Sequence, residues 1–528
     1  MRRWRWRSLF EPRDGLRDRL IARWLFLRAL GAIYFSAFYA LLFQVRGLIG
    51  EQGILPAADY LNQLRPLGGV HVWYAPTLLW FSAGDGMLKT ICWVGLTASL
   101  LVVLNLWPRL TLGACFVCFV SFVSVAQDFS GYQSDGMLLE AGFLALFLAP
   151  GGKTWRQRLW PGWGADSPPL RAAVGLLLWE WLRIYFESGI VKLNSGDPTW
   201  RNLTALYEYY QNGPLPTWIG WYVQHLPHWF HLGTAALTLI MELLLVWLVF
   251  CGRRARLVCC AVVTAWQIGV IATANYAFLN YLVLVLAVLL LDDRQLIHVV
   301  PVRWRAGLLT APGPEPPLFE PRWTLAAGFN AFVLCWICYA TLVPLGEMLL
   351  PRIPLPAAPC EALSTLRIAN GYGLFAVMTP HRYEIEFQGS NDGEHWSAYP
   401  FRYKPQKVDE RPGIYAPYQP RFDWNLWFAS LGSWHSNLFV PRTEELLLGN
   451  DAAVLTLFGG NPFPRTPPKY VRAVLWQYWF STPEEKAASG AWWRRQWLGT
   501  YAPTLTKLGN GQFAEVEPAT LDAGMPGS

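Results

Sequence analysis

Charge is scarce in this chain: 15% of its 528 residues are charged, against 53% that are hydrophobic. Soluble domains carry about 25% charged residues, so the shortfall excludes an ordinary soluble protein of this size and favours a multispanning membrane protein. Cysteine is scarce outside apolar runs. Of nine cysteines, only Cys360 follows residue 349, which excludes a disulfide within the C-terminal region. Cys115-x-x-Cys118 and Cys335-x-x-Cys338 have redox spacing, but they lie inside apolar helices, where thiolates and zinc are poorly supported, and are read as packing thiols. A P-loop, a GxSxG elbow, an HExxH zinc motif and a dinucleotide fingerprint are all missing. His225, His228 and His231 are spaced by three, yet Pro227 interrupts them before an apolar run; they are read as interface histidines, and no metal is expected.

Basic residues do not cluster as a nucleic-acid face. The first 349 residues hold 27 basic and 20 acidic residues and the remainder 16 of each, so the net charge of +7 belongs entirely to the first part. It serves as an orientation signal, and no nucleic-acid partner is expected.

Apolar runs are plentiful. Nine stretches approach the roughly 20 residues that cross a bilayer: Trp24–Val45, Leu88–Trp107, Leu110–Ala126, Met137–Ala149, Leu170–Ile190, Trp229–Phe250, Ala255–Ala272, Tyr276–Leu291 and Trp323–Leu349. Basic residues crowd the N-terminal stretch and recur at Arg109, Lys153 to Arg158, Arg253 to Arg256, Arg294, Arg303 and Arg305, whereas QDFSGYQSDG and TANYAFLN have none. Since positive loops stay inside, the alternation places the N-terminus in the cytoplasm and everything after the ninth span outside. The N-terminal apolar run is long, contains Arg28 and lacks an A-x-A site, so it is read as an anchor rather than a signal peptide. Thirty Trp and 22 Tyr fit aromatic belts at the membrane interfaces.

Three regions follow: a basic N-terminus (1–23), a helical membrane domain (24–349) and an extracytoplasmic domain (350–528). Pro-rich APGPEPPLFEPR and PRIPLPAAP flank the ninth span as breaks. Beyond them, Tyr383, Ile385 and Phe387 alternate with polar residues, and after a turn so do Tyr399, Phe401 and Tyr403, predicting a hairpin. Tyr470–Phe480 alternates likewise, with WWRRQWLGTYAP as its candidate partner. The fold class is therefore a polytopic α-helical membrane protein with a β-rich C-terminal domain.

Glu180, Arg183 and Glu187 fall at i, i+3 and i+7 on the fifth span, a spacing that lets them pair on one stripe. Intramembrane charges are costly unless they face a bundle interior or a wet cavity, so the stripe should point inward. Lys192, near the outer end, has two readings: a side chain snorkelling to the interface, or an amine in a partly dry pocket where desolvation makes it a usable base. The turn NSGDP leads towards a helix with Trp200 and Arg201 near its start. Gln133, Asp135 and Glu140 approach the same outer face from the fourth span, forming with Lys192 a candidate polar cavity; capping by Asp135 is the alternative. Asn202-Leu-Thr204 is a glycosylation sequon.

The stretches SDGMLLEAGFLALFLAP, GDPTWRNLTALYEYYQNGPLP, PHWFH, NGYGLFAVMT, YQPRFDWNLWFASLG and GGNPFPRTPPKYVRAVLWQYWF occur in that order. Together they resemble the lipase maturation factor family, in a bacterial-type version. The resemblance implies an integral membrane protein of the endoplasmic reticulum or the bacterial inner membrane. Such a protein contacts membrane lipids and assists folding of exported clients, lipases among them, without an established cofactor. Arg421, Asp423, Trp424 and Trp427 are the candidate client-binding residues, with a core position or a domain-docking seam as the alternative. More locally, YFESGIVKL followed by DPTW is similar to a segment of vitamin K-dependent γ-carboxylase-like membrane proteins. That similarity implies an enzyme with a quinone-type lipophilic cofactor, Lys192 as base and Asp135 or Glu187 tuning it. Where the carboxylase has a histidine this sequence has Ser134 and Asp135. A transporter fits the intramembrane charges, but no inverted repeat accompanies them.

Overall fold

The nine apolar stretches fold as helices in the computed structural model, which describes residues 6–151, 167–302, 305, 324–350 and 355–521. Residues 1–5, the cluster Lys153 to Arg158, Arg303, the Pro-rich segment 311–322, Trp323 and residues 351–354 lie outside the described residues. The helices are α1 (Leu20–Ile49), α2 (Asp85–Val103), α3 (Pro108–Val123), α4 (Gln133–Leu148), α5 (Arg171–Asn194), α6 (His228–Leu243), α7 (Arg253–Thr273), α8 (Leu279–Ala287) and α9 (Leu325–Leu349). Among the described residues, five are long and apolar enough to cross a membrane: α1, α2, α6 with its continuation to Phe250, α7 and α9. The other four depart from the expected spans for visible reasons. Helices α3, α4 and α8 are short, α4 also carries Asp135 and Glu140, and α5 carries Glu180, Arg183 and Glu187. Polarity also sorts the helices by depth. Most of α4 and α5 is buried, whereas α7 and α9 turn much apolar surface outward, as expected where the surroundings are hydrocarbon.

Successive helix ends meet at opposite ends of the bundle. At one end, the Leu20 and Ile21 amides donate to Asp293 (2.9 and 2.8 Å), Arg171 donates to the Asp14 carbonyl (2.7 Å) and Asn330 to the Phe10 carbonyl (3.1 Å). Arg109 donates to the Ala149 carbonyl (2.9 Å), and Arg253 pairs with Asp292. At the opposite end, Arg46 and Asp85 pair at 2.6 Å, and Asn275, just beyond α7, donates to the Gly413 carbonyl at 3.0 Å. That second end carries the C-terminal region.

Helices α1 and α4 approach closely at Gly142, where a Cβ would sit 1.9 Å from the Tyr34 hydroxyl. Glycine leaves that hydroxyl room to donate to the Leu138 carbonyl (3.0 Å), so a buried phenol is satisfied by a helix backbone.

The C-terminal sheet comprises β1 (Arg382–Ser390), β2 (Trp396–Ala398), β3 (Tyr470–Phe480), β4 (Trp493–Thr500), β5 (Thr504–Lys507) and β6 (Phe513–Glu517). Its order is β2-β1-β3-β5-β6, with β4 also paired to β3, and every pairing is antiparallel. Both sequence-derived pairings are present. Tyr383, Ile385 and Phe387 are buried as the alternation predicts, and Ile385 faces Leu475 across the β1–β3 ladder. The second hairpin strand ends at Ala398, earlier than expected; Tyr399 and Phe401 still point inward and pack with Phe458. The polar face of β1 is buried too, because Glu384 pairs with Arg382 and with Lys404 (2.8 Å). Helices α10 (Arg421–Ala429) and α11 (Phe439–Leu448) pack on β1 and β3 respectively.

Gly142→Val is expected to lower the thermal midpoint of the detergent-solubilised protein, by an overpacking cost of about 1–3 kcal/mol. Gly175→Val, where a Cβ meets nothing within 4 Å, is expected to leave that midpoint nearly unchanged.

Candidate functional site

The charged stripe of α5 is buried among helices, and its partners come largely from the chain that follows α9. Arg183 pairs with Glu140 of α4 and lies 4.0 Å from Glu187. Both carboxylates then accept from a strap at residues 370–374. Glu140 accepts from the Asn370 amide (3.0 Å), the Asn370 side chain (3.1 Å) and the Tyr372 hydroxyl (2.9 Å). Glu187 accepts from the Tyr372 amide (2.6 Å), and Arg183 donates to the Asn370 carbonyl. Gln133 and Ser188 take the Gly373 and Leu374 amides (3.1 and 3.0 Å). A strap without secondary structure can lie inside such a bundle only if its backbone groups find partners there. The carboxylates of α4 and α5 supply them. Gly136 of α4 makes room, since a Cβ there would lie 2.9 Å from the Asn370 side chain. Glu180 is buried on the same stripe with no hydrogen-bond partner on either oxygen.

Lys192 continues the anchorage. Its ammonium donates to Glu242 of α6 (2.9 Å) and to the Leu374 carbonyl (2.9 Å), and it lies 5.1 Å from the Trp200 ring centroid. It is 2% exposed, so it does not snorkel. Both hydrogen bonds hold it between α6 and the strap. The turn after α5 holds the strap further along. Gly196 takes the left-handed φ of 84°, which glycine adopts without strain. Asp197 accepts from the Met378 amide (2.8 Å) and caps a single helical turn, Pro198–Arg201, through Thr199 (2.8 Å). Burial opposes ionisation of Asp197, but these hydrogen bonds outweigh it and hold the carboxyl below its ordinary value. Trp200 donates to the carbonyl of Phe375, whose φ of 56° bends the strap at that point. The expected longer helix stops after one turn, at Arg201.

The four residues expected to form a client surface are buried instead: Arg421, Asp423, Trp424 and Trp427 are 0, 2, 6 and 8% exposed. They form the docking seam. Arg421 makes a fork to Asp135 (2.7 and 2.8 Å) and donates to the Phe129 carbonyl (2.7 Å), the bidentate geometry that guanidinium and carboxylate favour. Asp135 is therefore committed across the seam rather than to helix capping or to Lys192. Trp424 stacks on Tyr132 at a centroid distance of 5.0 Å, and Trp427 donates to the Asn212 carbonyl (3.0 Å). Asp423 accepts from the Tyr403 and Lys404 amides (both 3.3 Å). Burial pushes its carboxyl up to about 6, against the opposing pull of Lys404 and those amides.

Sequence reasoning missed Glu242, Asn370, Tyr372 and Gln44. Glu242 carried a signal, as the lone acid in a long apolar run. Gln44 looked unremarkable in α1, yet it accepts from the Arg421 amide (2.7 Å) and donates to the Gln419 carbonyl (2.9 Å). Among the described residues no cluster of His, Cys, Asp and Glu could hold a metal ion.

Arg421→Met alone is expected to cost about 3–5 kcal/mol by leaving Asp135 buried and unpaired, and Arg421→Met with Asp135→Leu to cost less than the two changes summed. Thermal midpoints and proteolytic release of the C-terminal domain report both. The folded Asp423 carboxyl titrates at about 6 rather than 3.8, so the native state keeps the extra proton between those values and stability falls as pH rises through them. Asp423→Asn is expected to remove that fall, its midpoint gaining on the wild type between about pH 4 and about pH 6.

A family model described as the lipase maturation factor transmembrane domain matches residues 21–298, and one described as the lipase maturation factor C-terminal domain matches residues 368–503. Lipase maturation factor 1 of Bos taurus is 31% identical over 513 residues, covering 92% of this chain and 89% of that protein. Lipase maturation factor 2 of Mus musculus is 31% identical over 585 residues, covering 91% of this chain and 82% of that protein. Lipase maturation factor 1 of Homo sapiens is 29% identical over 532 residues, covering 96% and 90%. No solved structure matches. The carboxylase resemblance gains no support from these matches. Helices suited to a membrane, a strapped C-terminal sheet domain and relatives aligned over nearly the whole length converge on one conclusion: the chain belongs to the lipase maturation factor family.

Proposed function

We propose that this protein assists the maturation of exported lipases, holding its C-terminal domain against the outer face of the membrane where such clients fold. The observation that carries the reading is the full-length similarity to lipase maturation factors, which spans the helical bundle and the C-terminal domain together. The buried seam and the strap agree with it, since a domain fixed to the bundle presents its exposed face to clients in one orientation. On this reading the four seam residues orient the domain and clients meet other surfaces.

The topology proposed is nine passes, with the N-terminus cytoplasmic and the C-terminal domain extracytoplasmic. Two observations support it. Basic residues alternate from loop to loop, and successive helix ends contact alternately the N-terminal stretch and the C-terminal region. The compartment is the endoplasmic reticulum or a bacterial inner membrane, according to source. Lys192 is an anchor for the strap in this proposal, with no cofactor chemistry.

The test is secreted lipase activity from cells lacking their own maturation factor, with and without this chain. The wild type should raise activity per unit of lipase protein; no difference at normal membrane abundance would overturn the reading. Lys192→Arg, which keeps the charge, is expected to retain most of the effect. Lys192→Met leaves Glu242 buried and unpaired and should reduce it by lowering the level of folded protein. A tag at the C-terminus should be protected from protease in sealed right-side-in vesicles that expose the cytoplasmic face.

A further inference from the structure

We propose that the cleft where α1 and α2 meet the C-terminal domain binds an anionic phospholipid, its phosphate held by Arg46, Lys89 and Arg402 and its acyl chains laid along the exposed face of α1. The cleft measures about 510 Å³, with Tyr39, Phe43 and Tyr418 as aromatic walls. All three cations line it, and all three are exposed.

Charge determines the kind of head group. Arg46 already has a partner, pairing with Asp85 at 2.6 Å. Lys89 and Arg402 make no ion pair among the described residues. Arg402 donates from Nε to the Phe458 carbonyl (2.8 Å), which leaves its two terminal nitrogens without a partner among the described residues. The acid among the lining residues, Asp423, is 2% exposed and turned to the Tyr403 and Lys404 amides. Glu51 accepts from the Asp85 amide (3.4 Å) and does not line the cleft. The open surface is therefore positive, and a guanidinium beside an ammonium suits a phosphate. A zwitterionic head group would bring a further cation to this surface; an anionic one would not.

Depth favours a lipid over a soluble phosphate. The apolar run Trp24–Val45 of α1 is about 32 Å long as a helix, the thickness of a hydrocarbon core, so Arg46, the next residue, stands at head-group level. Lys89 is one turn beyond Asp85, the partner of Arg46, and shares that level. Away from the cleft, Phe43, Tyr39, Phe35 and Ala32 recur at helical spacing as the exposed stripe of α1. Their rings meet in succession, with centroids 5.0 Å apart from Phe43 to Tyr39 and 6.3 Å from Tyr39 to Phe35. On α2 the exposed stripe runs from Lys89 through Trp93 and Thr97 to Leu100. A largely apolar surface that leads into a basic cleft fits chains below and a phosphate above. Tyr418 of the C-terminal domain lies 6.4 Å from Tyr39, so a lipid seated there touches the bundle and the domain together.

The experiment is native mass spectrometry of the purified full-length protein in detergent micelles, titrated with dioleoylphosphatidylglycerol or dioleoylphosphatidylcholine. Phosphatidylglycerol is expected to bind about tenfold more tightly, the scale that one or two cations at a membrane surface supply. Lys89→Gln with Arg402→Gln should erase that preference. Lys89→Gln alone, at an exposed position with no ion pair to lose, should already reduce it. Lys469→Gln with Lys507→Gln, two exposed lysines outside the cleft, should leave it intact. A phosphatidylglycerol carrying a diazirine in one chain should label α1 between Phe35 and Phe43 and α2 near Trp93, and millimolar inorganic phosphate should not compete. Equal affinity for the two lipids, a preference that survives the double change, or labelling confined to other helices would overturn the proposal. Displacement by inorganic phosphate would overturn it too, by assigning the cleft to a soluble anion. Binding is read without a lipase, so its failure leaves the maturation reading standing.

Discussion

A carboxylate buried between packed helices must be compensated, and in this protein the compensation of Glu140 ties the whole molecule together. Arg183 balances its charge, and donors from Asn370 and Tyr372 take its remaining lone pairs. Those donors belong to the chain after α9. The same contacts that neutralise the bundle interior therefore hold the strap inside it, and the strap in turn carries the C-terminal sheet to the bundle end. Glu187, Ser188, Lys192 and Asp197 extend the arrangement, each meeting the strap through one of its backbone groups.

The seam repeats this logic on a second surface. Arg421 brings a full charge into a fully buried site, and Asp135 receives it in a fork. Buried pairs of this kind add little net stability but are costly to break by halves. Their consequence is placement, because a domain that must bring Arg421 to Asp135 and Trp427 to Asn212 can dock in one way. Helix α5 thus separates two tasks. Its Glu180–Arg183–Glu187 stripe faces α4 and the strap, Tyr185 lines an apolar cavity, and Ser188 and Lys192 line that cavity while also holding Leu374 of the strap.

Much of the architecture was legible because it rests on local periodicity. Among the described residues, apolar runs located α1 to α9, alternation located β1 and β3, and β4 lies in the stretch named as the partner of β3. Strands β5 and β6, of four and five residues, are too short to show a pattern above the background. The inward stripe was legible from spacing; its partners were not, because Asn370 lies 230 residues from Glu140 along the chain. The seam stayed one of two open readings for a related reason. An Arg–Asp–Trp–Trp cluster has the composition of an exposed hot spot and equally of a buried joint, and the residue that decides between them, Asp135, lies 286 positions away.

The sequence by itself determined that this chain enters a membrane, where its helices run and that a sheet-bearing domain follows, since each depends on neighbouring residues alone. Only the tertiary structure decided what the buried charges are for. Lys192, expected either at the interface or in a partly dry pocket, is buried between Glu242 and the strap, and Arg421, expected at a client surface or a docking seam, is buried against Asp135. The physical reason is common to both: a buried charge takes its role from its partner, and here every decisive partner comes from a distant part of the chain.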